Sequence, residues 1–263
     1  MSEEQTSEST DENSDALEEG TLLSHLVELR TRLLKISAAV VVVFVVLLPF
    51  STRIFTLVSE PLRDVLPGGA MIATQVASPL LTPFKLTFYV ALFIAMPVVL
   101  YQIWAFVAPG LYKKEKRFAI PLLASSILLF YLGIAFAYFV VFPMMFAFFT
   151  AVAPEGVEVQ TDIAQFLDFI TTIIFAFGLA FEVPIATVLV VWTGLTTPAK
   201  LSKARPYVFL GAFILGMFLT PPDIISQTLL AVPVYLLFEV GILMSKFFVV
   251  KKSDSDDETT AAE

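Results

Sequence analysis

Six apolar runs, most of them near the length needed to cross a bilayer, constrain the fold of this 263-residue chain more than any other feature. Crossing the hydrocarbon as a helix takes roughly 20 apolar residues. The runs fall at Leu33–Phe50, Phe84–Val107, Ile120–Phe142, Phe166–Trp192, Pro206–Leu219 and Ile224–Met244. With 57% hydrophobic and only 15% charged residues, the chain is too apolar for an ordinary soluble domain. The expected fold class is therefore an all-α integral membrane protein with six transmembrane helices.

Charge sets the expected orientation. The formal net charge of -8 comes from the two ends: residues 1–19 carry eight acids and no base, and residues 253–263 carry five acids and no base. The body between them is about five charges positive, with 16 bases against 11 acids. Residues 1–20 and 249–263 read as disordered acidic tails around a membrane domain at 21–248. The opening residues, MSEEQTSESTDENSD, lack the positive region and short apolar core of a secretory signal. Lysine and arginine are retained on the cytoplasmic side during insertion. Arg30, Arg32 and Lys35 precede the first run, and Lys113, Lys114, Lys116 and Arg117 follow the second. Lys200, Lys203 and Arg205 follow the fourth, and Lys246, Lys251 and Lys252 close the sixth. Six crossings put all of these on one face and leave Arg53 and Arg63 on the other, with Lys85 at a boundary. Both termini are expected in the cytoplasm.

The last two spans are expected to be short. Pro206–Leu219 rises only about 21 Å as a helix, against a hydrocarbon core of about 30 Å. Pro221 and Pro222 make a helix boundary there. Such a span needs a thinned bilayer or neighbouring protein at its ends.

Within the fourth run stands one acid, Glu182, two residues before Pro184. A charged side chain at that depth costs about 2.5–3.5 kcal/mol on insertion scales, so it is expected to face protein or water. Pro184 donates no hydrogen bond and leaves a carbonyl one turn earlier without its usual donor. Glu239, near the edge of the last run, reads as a snorkelling or capping acid. Before the first run, SHLVELRTRLLK shows helical spacing: Leu22, Leu26, Leu29 and Leu33 form one stripe, and His25, Glu28 and Arg32 share another face. Glu28 and Arg32 are spaced for a local i,i+4 ion pair. Glu115 sits among four bases in LYKKEKR. Two carboxylates on one face, Glu28 and Glu115, suit bidentate capture of guanidinium groups.

The residues also exclude chemistry. There is no cysteine and one histidine, so a zinc site built from protein alone is not expected. No GxxxxGK[ST] phosphate loop and no plausibly spaced Ser, His and Asp set occurs, so neither nucleotide hydrolysis nor other catalysis is expected. No cofactor, metal or nucleic-acid partner is implied. A proton-coupled secondary transporter using Glu182 is the main alternative; it requires further polar groups near midplane, and no inverted repeat is visible. A structural scaffold without a ligand is a second alternative.

Four stretches in fixed order, HLVELRTRL, PVVLYQIWAFVAPGLYKKEKR, FGLAFEVP and RPYVFLGAFILGMFLTPPDIISQTLLAVPVYLLFE, resemble the TatC family of twin-arginine translocase subunits over about residues 22–248. The resemblance implies a bundle of six spans shaped like a cupped hand, in the cytoplasmic (inner) membrane, with both termini cytoplasmic. It implies a core receptor that binds twin-arginine signal peptides and, with the single-span subunits TatA and TatB, exports folded proteins using the proton motive force. By that resemblance Glu28 and Glu115 contact the paired arginines, supported by Arg30 and Phe106. Glu182 is then the intramembrane polar residue facing the cavity. Met217, Thr220 and Gln227 lie where TatA and TatB dock, Pro61 belongs to the outer cap, and Pro97 bends the second span. Other copies of the same chain are further implied partners.

Overall fold

The computed structural model describes the main chain of residues 4–63, 71–107, 116–152, 154, 161–219 and 223–260. Side chains are described for residues 24, 26–60, 71–106, 120–152, 154, 161–219 and 223–247. Among these every regular element is a helix, and the helices are joined by turns and short irregular stretches. Helix α1 (Glu4–Leu47) passes through a single 3-10 turn at Leu48–Phe50 into α2 (Ser51–Arg63). Next come α3 (Ser78–Val107) and α4 (Lys116–Phe136), and a π-helical turn at Ala137–Val141 leads into α5 (Phe142–Val152). Helices α6 (Ile163–Ala180) and α7 (Val183–Trp192) follow, then α8 (Pro198–Lys203), α9 (Arg205–Leu219) and α10 (Ile224–Thr260).

Five stretches are long and apolar enough to cross a membrane: Leu26–Glu60, Ser78–Phe106, Ile120–Val152, Ile163–Trp192 and Ile224–Phe247. Helix α9 is apolar but has only 15 residues, about 22 Å of rise. The short fifth segment expected from the sequence is thus present. The last segment is not short: Ile224–Phe247 has 24 residues, about 36 Å. Ser245 explains the difference, since it is buried and its hydroxyl donates to the Ile242 carbonyl at 2.8 Å. A polar residue whose hydrogen bond closes within its own helix does not end that helix.

The same physics corrects other boundaries. The first apolar stretch runs to Glu60 rather than Phe50, because Thr56 donates to the Thr52 carbonyl (3.0 Å) and Ser59 to the Thr56 carbonyl (3.2 Å). Pro49 sits in the first turn of the 3-10 segment, where its missing N–H leaves no partner unmatched. The third stretch runs to Val152 rather than Phe142, with the π turn immediately before Pro143 rearranging the hydrogen-bond ladder that proline interrupts.

The fourth stretch is two helices. Pro184 cannot donate to the Ala180 carbonyl, and the helix breaks at Phe181–Glu182. The Phe181 amide still reaches the Phe177 carbonyl at 3.0 Å, and that of Glu182 turns tightly to Leu179 at 3.0 Å. Helix α7 then restarts with Pro184 in its first turn.

Close approach between helices depends on glycine. A Cβ on Gly133 would stand 2.5 Å from the Phe177 carbonyl oxygen, so only glycine lets α4 meet α6 there. A Cβ on Gly241 would stand 2.9 Å from the Pro184 Cα and from the Thr187 Cβ, at the crossing of α10 with α7. Small residues at such crossings let backbones pack without a water-driven hydrophobic force between helices. The largest buried cluster lies where α6 meets the π turn and α5, around Phe142, Met145, Phe166, Ile170, Ile173 and Phe177.

At one end of the bundle the loop before α3 is tied to α6. Ile72 pairs with Asp162 in an isolated parallel bridge, with the Ile163 amide donating to the Ile72 carbonyl at 2.9 Å. Asp162 caps α6 by accepting from the Ala164 (2.9 Å) and Gln165 (3.1 Å) amides, and its other oxygen accepts from the Thr74 amide (2.8 Å) and hydroxyl (2.7 Å). These donors hold its carboxyl down at about 2, the Thr74 hydroxyl first, then the amides of Thr74, Gln165 and Ala164.

Candidate functional site

The i,i+4 pair expected on α1 is formed, and it is part of a larger array. Arg32 donates through Nε (3.0 Å) and Nη2 (2.5 Å) to the same oxygen of Glu28, Oε1. Its Nη2 also donates to the Ala105 carbonyl at 2.9 Å, and Nη1 to the Gln102 side-chain oxygen at 3.3 Å. A guanidinium has donors fixed in a plane and can serve three acceptors at once, which a lysine ammonium on a flexible stem does less well. Arg32 therefore anchors the Glu28 turn of α1 to the last turns of α3. Among the described residues Glu28 Oε2 has no partner, and the side chain keeps 34% of its exposure.

Phe106, half-buried, lies next to Ala105 in the last turn of α3, so this end of α3 and the Glu28 turn stand together. Arg30 is exposed on α1 and has no ion pair among the described residues. Glu115 lies outside the described residues. Arg32 and Gln102 are the residues at this end that the sequence reading did not assign to the site. The i,i+4 spacing to Glu28 makes Arg32 legible in the sequence, but nothing there announces its partner Gln102, 70 positions away.

Glu182 occupies the break between α6 and α7. Its Oε2 accepts from the hydroxyl of Ser126 on α4 at 2.5 Å, and Ser126 is fully buried. Its Oε1 is buried with no hydrogen-bond partner among the described residues. The break and the acid share one cause, because the proline that ends α6 sets Glu182 in a turn rather than on a regular helical face. Beside it lies a half-open, largely apolar cavity of about 580 Å³, lined among others by Phe175 and Leu179 of α6, Val183 of α7, Leu215 of α9 and Val234 of α10.

Glu239, read from sequence as snorkelling or capping, is instead a tertiary partner. Arg205, at the start of α9, donates Nε to its Oε1 (2.6 Å) and Nη2 to its Oε2 (2.7 Å), a bidentate pair between α9 and α10. At the other end of α9, Gln227 donates its side-chain N–H to the Phe213 carbonyl at 2.9 Å and packs against Gly216. Met217 is exposed on α9. Thr220 lies outside the described residues. Pro97 stands inside the continuous helix α3; for Pro61, in α2, only the main chain is described.

The chain resembles proteins of established type over nearly its whole length. The sequence model of the family described as Sec-independent protein translocase protein (TatC) matches residues 24–233. A Sec-independent protein translocase protein TatC from Azotobacter chroococcum mcd 1 is 62% identical over 222 residues, covering 84% of this chain and 87% of that protein. The protein of the same description from Escherichia coli (strain K12) is 56% identical over 237 residues, covering 90% and 92%. A crystal structure of the twin-arginine translocase receptor TatC superposes with a TM-score of 0.77 at 35% identity, covering 85% of this chain and 98% of that one. Its helices have the length and apolarity of membrane spans, and its sequence and fold agree with the same group of proteins. This multi-pass membrane protein of the protein-transport machinery therefore belongs to the TatC family.

Proposed function

We propose that the chain is the receptor subunit of twin-arginine transport, capturing paired arginines of a signal peptide at the end of the bundle that carries Glu28. One observation carries the reading. Arg32 engages a single oxygen of Glu28 and fixes that turn to α3, which leaves Oε2 for an incoming guanidinium. Arginine cannot shed its charge, and a second carboxylate, Glu115, would receive its neighbour. Arg30 and Phe106 flank the same end.

In this reading the chain crosses the inner membrane six times, α9 being the short crossing, with both termini and the Glu28 end in the cytoplasm. The apolar part of the signal runs along the bundle toward Glu182. TatA and TatB dock along α9 and the start of α10, at Met217, Thr220 and Gln227, and further copies of the chain complete the assembly that uses the proton motive force. The short rise of α9 supports a locally thinned bilayer beside that docking line. Pro61 belongs to the outer cap and Pro97 bends α3.

The test is photo-crosslinking of a paired-arginine peptide to membranes containing the chain, against a paired-lysine version. Labelling near Glu28 and Glu115 that favours the arginine peptide supports the proposal. Equal labelling by both peptides, or none at those positions, refutes it.

A further inference from the structure

At the end of the bundle opposite Glu28, a cleft of about 560 Å³ opens between the start of α3, α1 and the start of α6. Phe44, Leu81, Phe84 and Phe88 give it an apolar wall, Gln75, Ser78 and Thr82 line it with polar groups, and Phe44 and Phe88 meet edge to face at 5.8 Å. Its rim carries one ion pair, Lys85 on α3 with Asp168 on α6. Both side chains are about half exposed, at 49% and 56%.

The depth of this pair is informative. Helix α3 has 30 residues, about 45 Å, which exceeds the hydrocarbon core by about 15 Å. Lys85 stands seven residues into α3, about 10 Å from its start, and Asp168 five residues after the first residue of α6. Both therefore lie near the level where phospholipid headgroups meet acyl chains, with the phenylalanine wall of the cleft beside them. An ammonium has three donors, and the ion pair uses one. Asp168 keeps Oδ2 without a partner among the described residues, since Thr171 and Thr172 donate to its main-chain carbonyl rather than to its carboxylate.

We propose that this cleft binds a membrane phospholipid whose headgroup is zwitterionic and ends in a primary ammonium, a phosphoethanolamine lipid. The phosphate takes the free donors of Lys85, the ammonium takes Oδ2 of Asp168, and an acyl chain lies along Phe44 and Phe88. The four charges alternate in sign, so inserting the headgroup adds two charge-assisted contacts without stranding either member of the existing pair. A lipid with a purely anionic headgroup meets Asp168 with like charge. A quaternary ammonium cannot donate a hydrogen bond to it.

The experiment uses the full chain in nanodiscs holding phosphatidylethanolamine, phosphatidylcholine and phosphatidylglycerol at equal mole fraction, with retained lipids counted by native mass spectrometry. The wild type is expected to retain the ethanolamine lipid about tenfold over the other two, the equivalent of one charge-assisted hydrogen bond. Asp168→Asn should shift the preference to the glycerol lipid, since Lys85 then stands alone, and Lys85→Gln should remove retention of all three. Equal retention of the three lipids by the wild type overturns the proposal, and this arm needs no substitution. So does an order unchanged in Asp168→Asn, which would make the pair a tie between α3 and α6 alone. Displacement by free glycerophosphoethanolamine as efficient as by the whole lipid overturns the assignment of a bilayer lipid as occupant.

Discussion

Replacing Gly133 by alanine asks whether the α4–α6 crossing is what holds the intramembrane acid in place. The added Cβ would stand 2.5 Å from the Phe177 carbonyl oxygen and 3.0 Å from the Phe181 Cβ. Carbon–oxygen contacts settle at about 3.3 Å or more, so α4 and α6 must part locally by about 0.8 Å. Neither obstacle is the far end of a flexible side chain, so the helices themselves must move. Ser126 precedes Gly133 by seven residues, two turns of α4, and its bond to Glu182 is 2.5 Å long. Passing on the full displacement stretches that bond to about 3.3 Å, the edge of useful hydrogen-bond range.

Overpacking of this kind costs about 1–3 kcal/mol. Loosening the one bond to a buried acid adds about 1–3 kcal/mol. Alanine's better helix propensity offsets about 1 kcal/mol. The net expectation is a loss of about 3 kcal/mol. Gly211→Ala is the matched control: a Cβ there meets nothing within 4 Å, so the propensity gain stands alone and stability should rise by up to about 1 kcal/mol. Denaturant titration of both variants in detergent, followed by circular dichroism, measures the two signs. The infrared carboxyl band of Glu182 reports the hydrogen bond. A loss under about 1 kcal/mol for Gly133→Ala, or the same sign for both variants, refutes the reasoning.

Three further outcomes are expected. Arg32→Lys, which gives up the planar reach to Glu28, Gln102 and the Ala105 carbonyl, should lower crosslinking of a paired-arginine peptide near Glu28 by about tenfold; unchanged labelling would mean that Arg32 does not position the acid. For Glu182, glutamine should support export better than leucine, because an amide still accepts from Ser126 whereas leucine strands a buried hydroxyl; full export with leucine would remove any polar duty from this position. Asp162 has a carboxyl lowered to about 2 from 3.8, so its contribution to stability is fully present above about pH 4 and is lost as pH falls toward 2. Hydrogen exchange at the Ile163 amide should accelerate over that window, and Asp162→Asn should flatten the acid dependence; an unchanged profile would show that the Thr74 contacts do not hold the loop.

Much of this molecule is written in local pattern. Run length and apolarity give the membrane class, five of the crossing stretches and the shortness of α9, because transfer from water to lipid depends on composition along the chain. The spacing of Glu28 and Arg32 gives their ion pair, since helix geometry places positions four apart side by side. Pro184 marks a carbonyl without its donor for an equally local reason, a missing N–H. The run around it reads as one span, and the break at Phe181–Glu182 is seen only in the fold. Helix ends are less legible. A hydroxyl at Thr56, Ser59 or Ser245 bonds to its own helix, so polarity in the sequence does not mark where the helix stops.

Beyond the Glu28–Arg32 pair, the partners of the functional side chains were decided by tertiary structure. Ser126 reaches Glu182 across 56 positions, Gln102 reaches Arg32 across 70, and Lys85 meets Asp168 across 83. Nothing in the hydropathy of α4 or α6 selects which serine faces which acid. That choice follows from the rotation of one helix about another, which is fixed where Gly133 and Gly241 admit a neighbouring backbone. Composition thus determined that the chain enters a bilayer, and helix-on-helix packing determined which of its few polar groups meet there, because lipid offers them no other partner.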